Sequence, residues 1–83
     1  MTAFRNMTVQ GETITADQQK AVAKVLMYRG ISHKAVQSAL RGEGVSAFEA
    51  YRAADRMIQN MRKAGIIGYA GGEWHWLKPE DVQ

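Results

Sequence analysis

Residues 46–67 read SAFEAYRAADRMIQNMRKAGII, and this stretch carries a whole helix with its start and its stop. Ser46 followed by Glu49 is a capping box: the serine oxygen accepts from the Glu49 amide, and the Glu49 carboxylate reaches back to the amide of Ser46. Gly65 closes the helix, as the residue that takes a left-handed C-cap most easily. Between them lie about five turns with a divided surface. At about 100° per residue, Ala47, Ala50, Tyr51, Ala54, Ile58 and Met61 gather on one side, and Arg52, Arg56, Gln59, Asn60 and Lys63 on the other. The apolar back predicts packing on a core. The Arg/Gln/Asn/Lys front is either a solvated face or a set of donors to phosphates and base edges in a DNA major groove. The flanking segments decide between the two.

Upstream lie two further helix patterns. Thr15 and Gln18 form a second capping box, with Asp17 adding negative charge to the first turn. The helix they open has an apolar stripe of Ala21, Val22, Val25 and Leu26, extending to Tyr28, and Gly30 stops it. Ile31 stands alone before a new N-cap at Ser32, where it has room to pair with a later strand. From Ser32 to Arg41 runs a shorter helix with Val36, Ala39 and Leu40 inward and His33, Lys34, Gln37 and Arg41 outward. Gly42-Glu43-Gly44 breaks it, and Val45 is placed as a hydrophobic staple against Ala50. A short helix, a turn and a longer polar-faced helix make a helix-turn-helix pattern. Residues 1–14 show no helical period and read as an extended arm able to lay Phe4 or Met7 on the body.

Downstream of Gly65 the period changes from 3.6 to 2. Ile66-Ile67-Gly68-Tyr69 and Glu73-Trp74-His75-Trp76-Leu77 read as two strands around a glycine turn. Trp74 and Trp76 share a face, and at least one belongs in the core. Pro79 ends the second strand, leaving 79–83 as a short polar tail.

The totals fit one small domain. Eighty-three residues, 46% hydrophobic with two Trp, three Tyr and two Phe, support one modest core and argue against global disorder. No cysteine is present, which excludes disulfides, thiol chemistry and Cys-based zinc sites and fits a reducing cytoplasm. No apolar run approaches membrane-spanning length, and no basic-then-apolar leader precedes the domain. The net charge of +3 is unevenly spread. Residues 20–45 carry a net +4 and 46–65 a net +2, whereas 1–19 carry −1 and 66–83 carry −2. Positive charge on the helical middle suits a polyanion.

Three helices with a brief extended residue between the first two, then a hairpin directly after the third, resembles the winged helix-turn-helix superfamily over residues 15–78. The stretch that carries the resemblance best is MRKAGIIGYAGGEWHWL, Met61 to Leu77: a basic helix end with a glycine step, an apolar strand, a glycine-rich wing and an aromatic return strand. The resemblance implies an α+β winged helix that binds double-stranded DNA through its third helix in a major groove, with the wing against backbone or minor groove. Carried onto this chain, Arg52, Arg56, Gln59, Asn60 and Lys63 take recognition-helix positions. Ser32, His33 and Lys34 sit where a helix N-terminus meets a phosphate, and Arg41 adds a phosphate anchor. The wing departs from the pattern, since Tyr69 to Glu73 carries no Arg or Lys. In the Z-form-specific winged helices an Asn and a Tyr read the nucleic acid; Asp55 and Gln59 occupy those places here, which rules that specialisation out.

Other chemistry finds no support. His33 and His75 lack a third ligand at recognisable spacing, the five methionines read as gap fillers, and Tyr51 reads as core with its hydroxyl at the rim. There is no phosphate-binding glycine loop, no cysteine nucleophile and no carboxylate pair with a base. The expectation is a non-enzyme without cofactors, metal, membrane or small-molecule substrate. It is a cytoplasmic, nucleoid-associated DNA-binding protein: a small bacterial or phage transcription regulator, or a recombination accessory factor, binding as a homodimer or cooperatively on repeated sites. The alternative is a protein-interaction winged helix that binds a host factor or complex subunit through its uncharged wing and aromatics. Phe48 separates the two, because an exposed Phe48 favours a protein partner or homodimer and a buried one removes that argument.

Overall fold

The capped helix forms. In the computed structural model, which describes residues 4–82, it is α3, Ala47–Lys63. Ser46 accepts from the amide of Glu49 at 3.4 Å. At the other end Gly65 adopts φ 76°, its N–H donates to Arg62 O and that of Ile66 to Met61 O, both at 3.0 Å. This is a Schellman motif, and it turns the buried Ile66 back against the buried Met61.

Two helices precede α3. α1, Ala16–Arg29, has both halves of its capping box: Gln18 N donates to Thr15 Oγ1 at 3.1 Å and Thr15 N to Gln18 Oε1 at 2.9 Å. α2, His33–Gly42, is capped by Ser32, whose Oγ accepts from Ala35 N at 3.0 Å. It ends in a second Schellman motif, with Gly44 N donating to Arg41 O and Val45 N to Leu40 O, both at 3.1 Å. The motif buries Val45 next to Leu40, so the break at 42–45 is a shaped corner from which α3 starts.

Two antiparallel hairpins complete the chain. The C-terminal one pairs Ile67–Ala70 with Glu73–Trp76, Ile67 opposite Trp76 and Ala70 opposite Glu73. Gly71 and Gly72 at φ 61° and 81° form its turn, the positive-φ pair that suits the twist of a two-residue hairpin. Three helices followed by this hairpin make an α+β fold consistent with a small winged helix. Trp74 and Trp76 are both half-buried and pack against the core.

The arm expected over 1–14 takes a different form where it is described, from Phe4 onward; residues 1–3 lie outside the described residues. Met7–Val9 (β1) pairs with Glu12–Ile14 (β2), Val9 opposite Glu12, around Gln10 and Gly11, both at positive φ. We number the C-terminal strands β3 and β4 accordingly. Phe4, Val9 and Ile14 are core residues. Gln19, fully buried in α1, fastens the segment by donating from Nε2 to Arg5 O at 2.7 Å and Ile14 O at 3.2 Å. Asn6 Oδ1 accepts from Ala16 N at 2.8 Å and so closes the start of α1. At the other terminus, Pro79–Val82 forms a 3₁₀ turn, and Val82 is fully buried. Among the described residues, the stretch expected as a polar tail is folded back on the body.

Three other expectations need correction. The buried side of α1 is Gln19, Val22, Ala23 and Leu26, while Val25 is exposed and Tyr28 is 92% exposed. α2 and the C-terminal 3₁₀ turn pack on α1, and the N-terminal segment is held at Gln19, so the buried face is turned away from Val25 and Tyr28. The buried side of α3 is Ala50, Ala53, Ala54, Met57, Ile58 and Met61, which is turned by about 40° from the expected stripe at 100° per residue. Ala47 and Tyr51 therefore come out to the surface, and Ala53 and Met57 go in. Ile31 packs half-buried against the core without joining a sheet, because each sheet consists of its own two strands.

Candidate nucleic-acid interface

The rotation of α3 decides which side chains face outward together. Phe48, Arg52, Asp55, Gln59 and Lys63 recur at helical spacing opposite the buried stripe, and all five are exposed. They form one ridge along the helix. Arg52, Gln59 and Lys63 are thus brought together as the sequence led us to expect, and Phe48 and Asp55 join them.

Arg56 and Asn60 lie about a quarter turn away on one flank. That flank meets the N-terminal hairpin, where Arg56 donates from a guanidinium nitrogen to Thr8 O at 2.8 Å. Both residues are exposed, but Arg56 holds β1 as well as facing solvent. A shallow open depression of about 270 Å³ runs between Tyr51, Arg52, Asp55 and Arg56.

The opposite flank meets α2. Tyr51, 61% exposed, lays its ring against His33 with centroids 4.7 Å apart and planes tilted by 48°. His33 Nδ1 lies 2.7 Å from Gln37 Nε2. Tyr51 was expected in the core and instead joins the exposed faces of α2 and α3, since its position falls at the edge of the rotated stripe. Beyond His33 the outer face of α2 presents Lys34, Gln37, Ser38 and Arg41 around an open depression of about 550 Å³. Lys34 and Arg41 stand one turn-pair apart with both charges exposed. The His33–Tyr51 contact joins the outer face of α2 to the flank of α3 on which Arg52 borders Tyr51.

The C-terminal hairpin borders this surface at the start of α2. A third open depression, about 510 Å³, separates Ser32, His33, Arg29 and Ile31 from Tyr69, Gly72, Glu73 and Trp74. Tyr69 meets Trp74 edge-on, with centroids 5.0 Å apart and planes at 84°. His75 lies across the turn with Nε2 3.0 Å from Ala70 O. Glu73 is the charged residue of the wing tip.

No group of three or more His, Cys, Asp or Glu able to hold a metal forms among the described residues, and no described helix is long and apolar enough to cross a membrane. The sequence left the exposure of Phe48 open, and it is exposed, while the outward placement of Tyr51 was missed. The signal was present in Ala53 and Met57, which share the apolar side only if the stripe is centred between Ala50 and Met57. The Arg56–Thr8 contact spans 48 residues and no local pattern announces it. Compared with protein-family models, curated proteins and solved structures, the chain matches none.

Proposed function

We propose that the chain binds double-stranded DNA, with α3 in the major groove and the outer face of α2 against the backbone. The observation that carries this reading is the exposed ridge of α3, Arg52, Gln59 and Lys63 included, on a helix whose Tyr51 packs against His33 of the α2 that exposes Lys34 and Arg41. Arg52 and Gln59 are the base readers of this arrangement: a guanidinium donates to two acceptors of guanine, and a carboxamide matches the acceptor and donor of adenine. Lys34, Arg41 and Lys63 anchor phosphates, and the first turn of α2 at Ser32 and His33 points free amides toward the same backbone. Asn60 and Arg56 border the groove on the hairpin side.

The role that fits is a small transcription regulator of bacterial or phage type, or an accessory factor that shapes DNA for recombination. One module of this size offers a small interface, so binding as a dimer or on repeated sites follows. Selection from random duplex DNA at two salt concentrations tests the reading. An enriched motif supports sequence-specific regulation; salt-sensitive binding without a motif supports an architectural role. The absence of any retained DNA at low salt refutes the proposal.

A second reading draws on Phe48, which is 74% exposed, and on exposed Tyr69 beside a wing whose charge is Glu73. These features suit a protein partner, a host factor or a second copy of the chain. Under it, sedimentation of the purified chain, alone or with the partner, shows association that Phe48→Ala abolishes.

A further inference from the structure

We propose that Phe48 is a specificity-determining residue that reads the C5-methyl group of thymine in the major groove; the assignment rests on the DNA-binding reading given above. Phe48 stands in the first turn of α3, the second residue after the cap at Ser46. The N-terminal turns of a recognition helix are the part that meets base edges. Its ring is 74% exposed and takes no share in the core, which α3 builds from Ala50, Ala53, Ala54, Met57, Ile58 and Met61. The fold therefore gives no reason for a large apolar group at this place.

The surroundings favour a polyanion over an apolar partner. Arg52 follows Phe48 one turn along the ridge, Lys63 ends it, and Lys34 and Arg41 stand exposed on the adjoining face of α2. Asp55 is the acidic member of the ridge, two turns from Phe48, while Glu49 turns toward the flank of Arg56. Ala47, small and exposed beside Phe48, lets this end of the helix approach closely. Within a major groove, the apolar feature available to a phenyl ring is the thymine methyl.

The test keeps the base pairs and removes the methyls. A duplex enriched from random DNA is prepared with thymine and with deoxyuridine, and alternating poly(dA-dT) and its deoxyuridine counterpart serve as a second pair. The wild-type chain is expected to bind the deoxyuridine duplex about fourfold more weakly for each methyl it contacts. Phe48→Ala is expected to bind both forms equally, and Phe48→Leu to keep part of the preference. Equal binding of both forms by the wild-type chain overturns the assignment and leaves DNA binding standing. So does a preference that survives intact in Phe48→Ala. Failure to bind any of the duplexes at low salt overturns the DNA-binding reading, and the role of Phe48 with it.

Discussion

Arg56 in α3 donates a hydrogen bond to the carbonyl oxygen of Thr8 in β1 across 2.8 Å. The contact joins the helix that carries the candidate interface to the first strand of the chain. Arg56 therefore has a positioning task that Arg52, one turn earlier on the ridge, does not share.

Replacing the two arginines should separate these tasks. Arg56→Ala is expected to cost about 1 kcal/mol, the net contribution of one such bond at an exposed site, and to speed amide exchange in 7–14. Arg52→Ala is expected to leave stability within about 0.5 kcal/mol and to reduce DNA affinity more than Arg56→Ala does. Thermal unfolding, amide exchange and a binding titration of the two variants measure this directly. Equal affinity losses with unchanged exchange in the hairpin contradict it.

The turn of the first hairpin holds Gln10 at φ 51°, a left-handed conformation that costs an ordinary residue about 1 kcal/mol. Asparagine tolerates it better, and Asn-Gly is the favoured pair for such turns. Gln10→Asn is expected to raise stability by about 0.5 kcal/mol, which for a domain of this size raises Tm by roughly 2–4 °C. An unchanged or lowered Tm in calorimetry argues against the turn.

Periodicity placed Tyr51 on the apolar side of α3 and left Met57 unassigned, and stability can check the structural assignment. Met57 is fully buried, so Met57→Ala is expected to cost about 2–5 kcal/mol. Tyr51 contributes an exposed aromatic contact with His33, so Tyr51→Ala is expected to cost about 0.5–1.5 kcal/mol. Denaturant titration of both variants reads the order, and the reverse order contradicts the observed face of α3.

These cases show what the residues disclosed beforehand. Caps were legible because their chemistry is local: Thr15 with Gln18 forms both halves of its box, Ser32, Ser46 and Gly65 cap as expected, and of the Ser46–Glu49 box only the bond to the serine oxygen forms. The C-terminal hairpin was legible because Gly71-Gly72 stands between two apolar runs of matching length. The rotation of α3 was not, because alanines at 47, 50, 53 and 54 fit either face, and the large residues at 51 and 57 then decide. Helix packing placed Met57 inside and left Tyr51 at the edge. The first hairpin was hidden because its strands are three residues long and its turn begins with Gln10 instead of a residue that marks a left-handed turn.

Asp55 occupies the middle of the cationic ridge. A carboxylate there repels phosphates and accepts only from a donor such as the cytosine amine. Asp55→Asn is expected to raise affinity for random-sequence DNA about fivefold at low salt, as about 1 kcal/mol of screened repulsion is removed, while narrowing the gap to the preferred site. Competition titrations with random and enriched duplexes measure both effects; unchanged affinity for random DNA places Asp55 outside the interface.

The central claim is that Lys34, Arg41 and Lys63 act together on a DNA backbone while α3 lies in the groove. A mobility-shift titration of duplex DNA across a series of salt concentrations tests it most directly. The account predicts log affinity falling linearly with log salt with a slope of about −3, since each phosphate contact contributes about −0.9, and a slope shallower by about 0.9 in Lys34→Ala. No shifted complex at the lowest salt, or the same slope in both proteins, would contradict it.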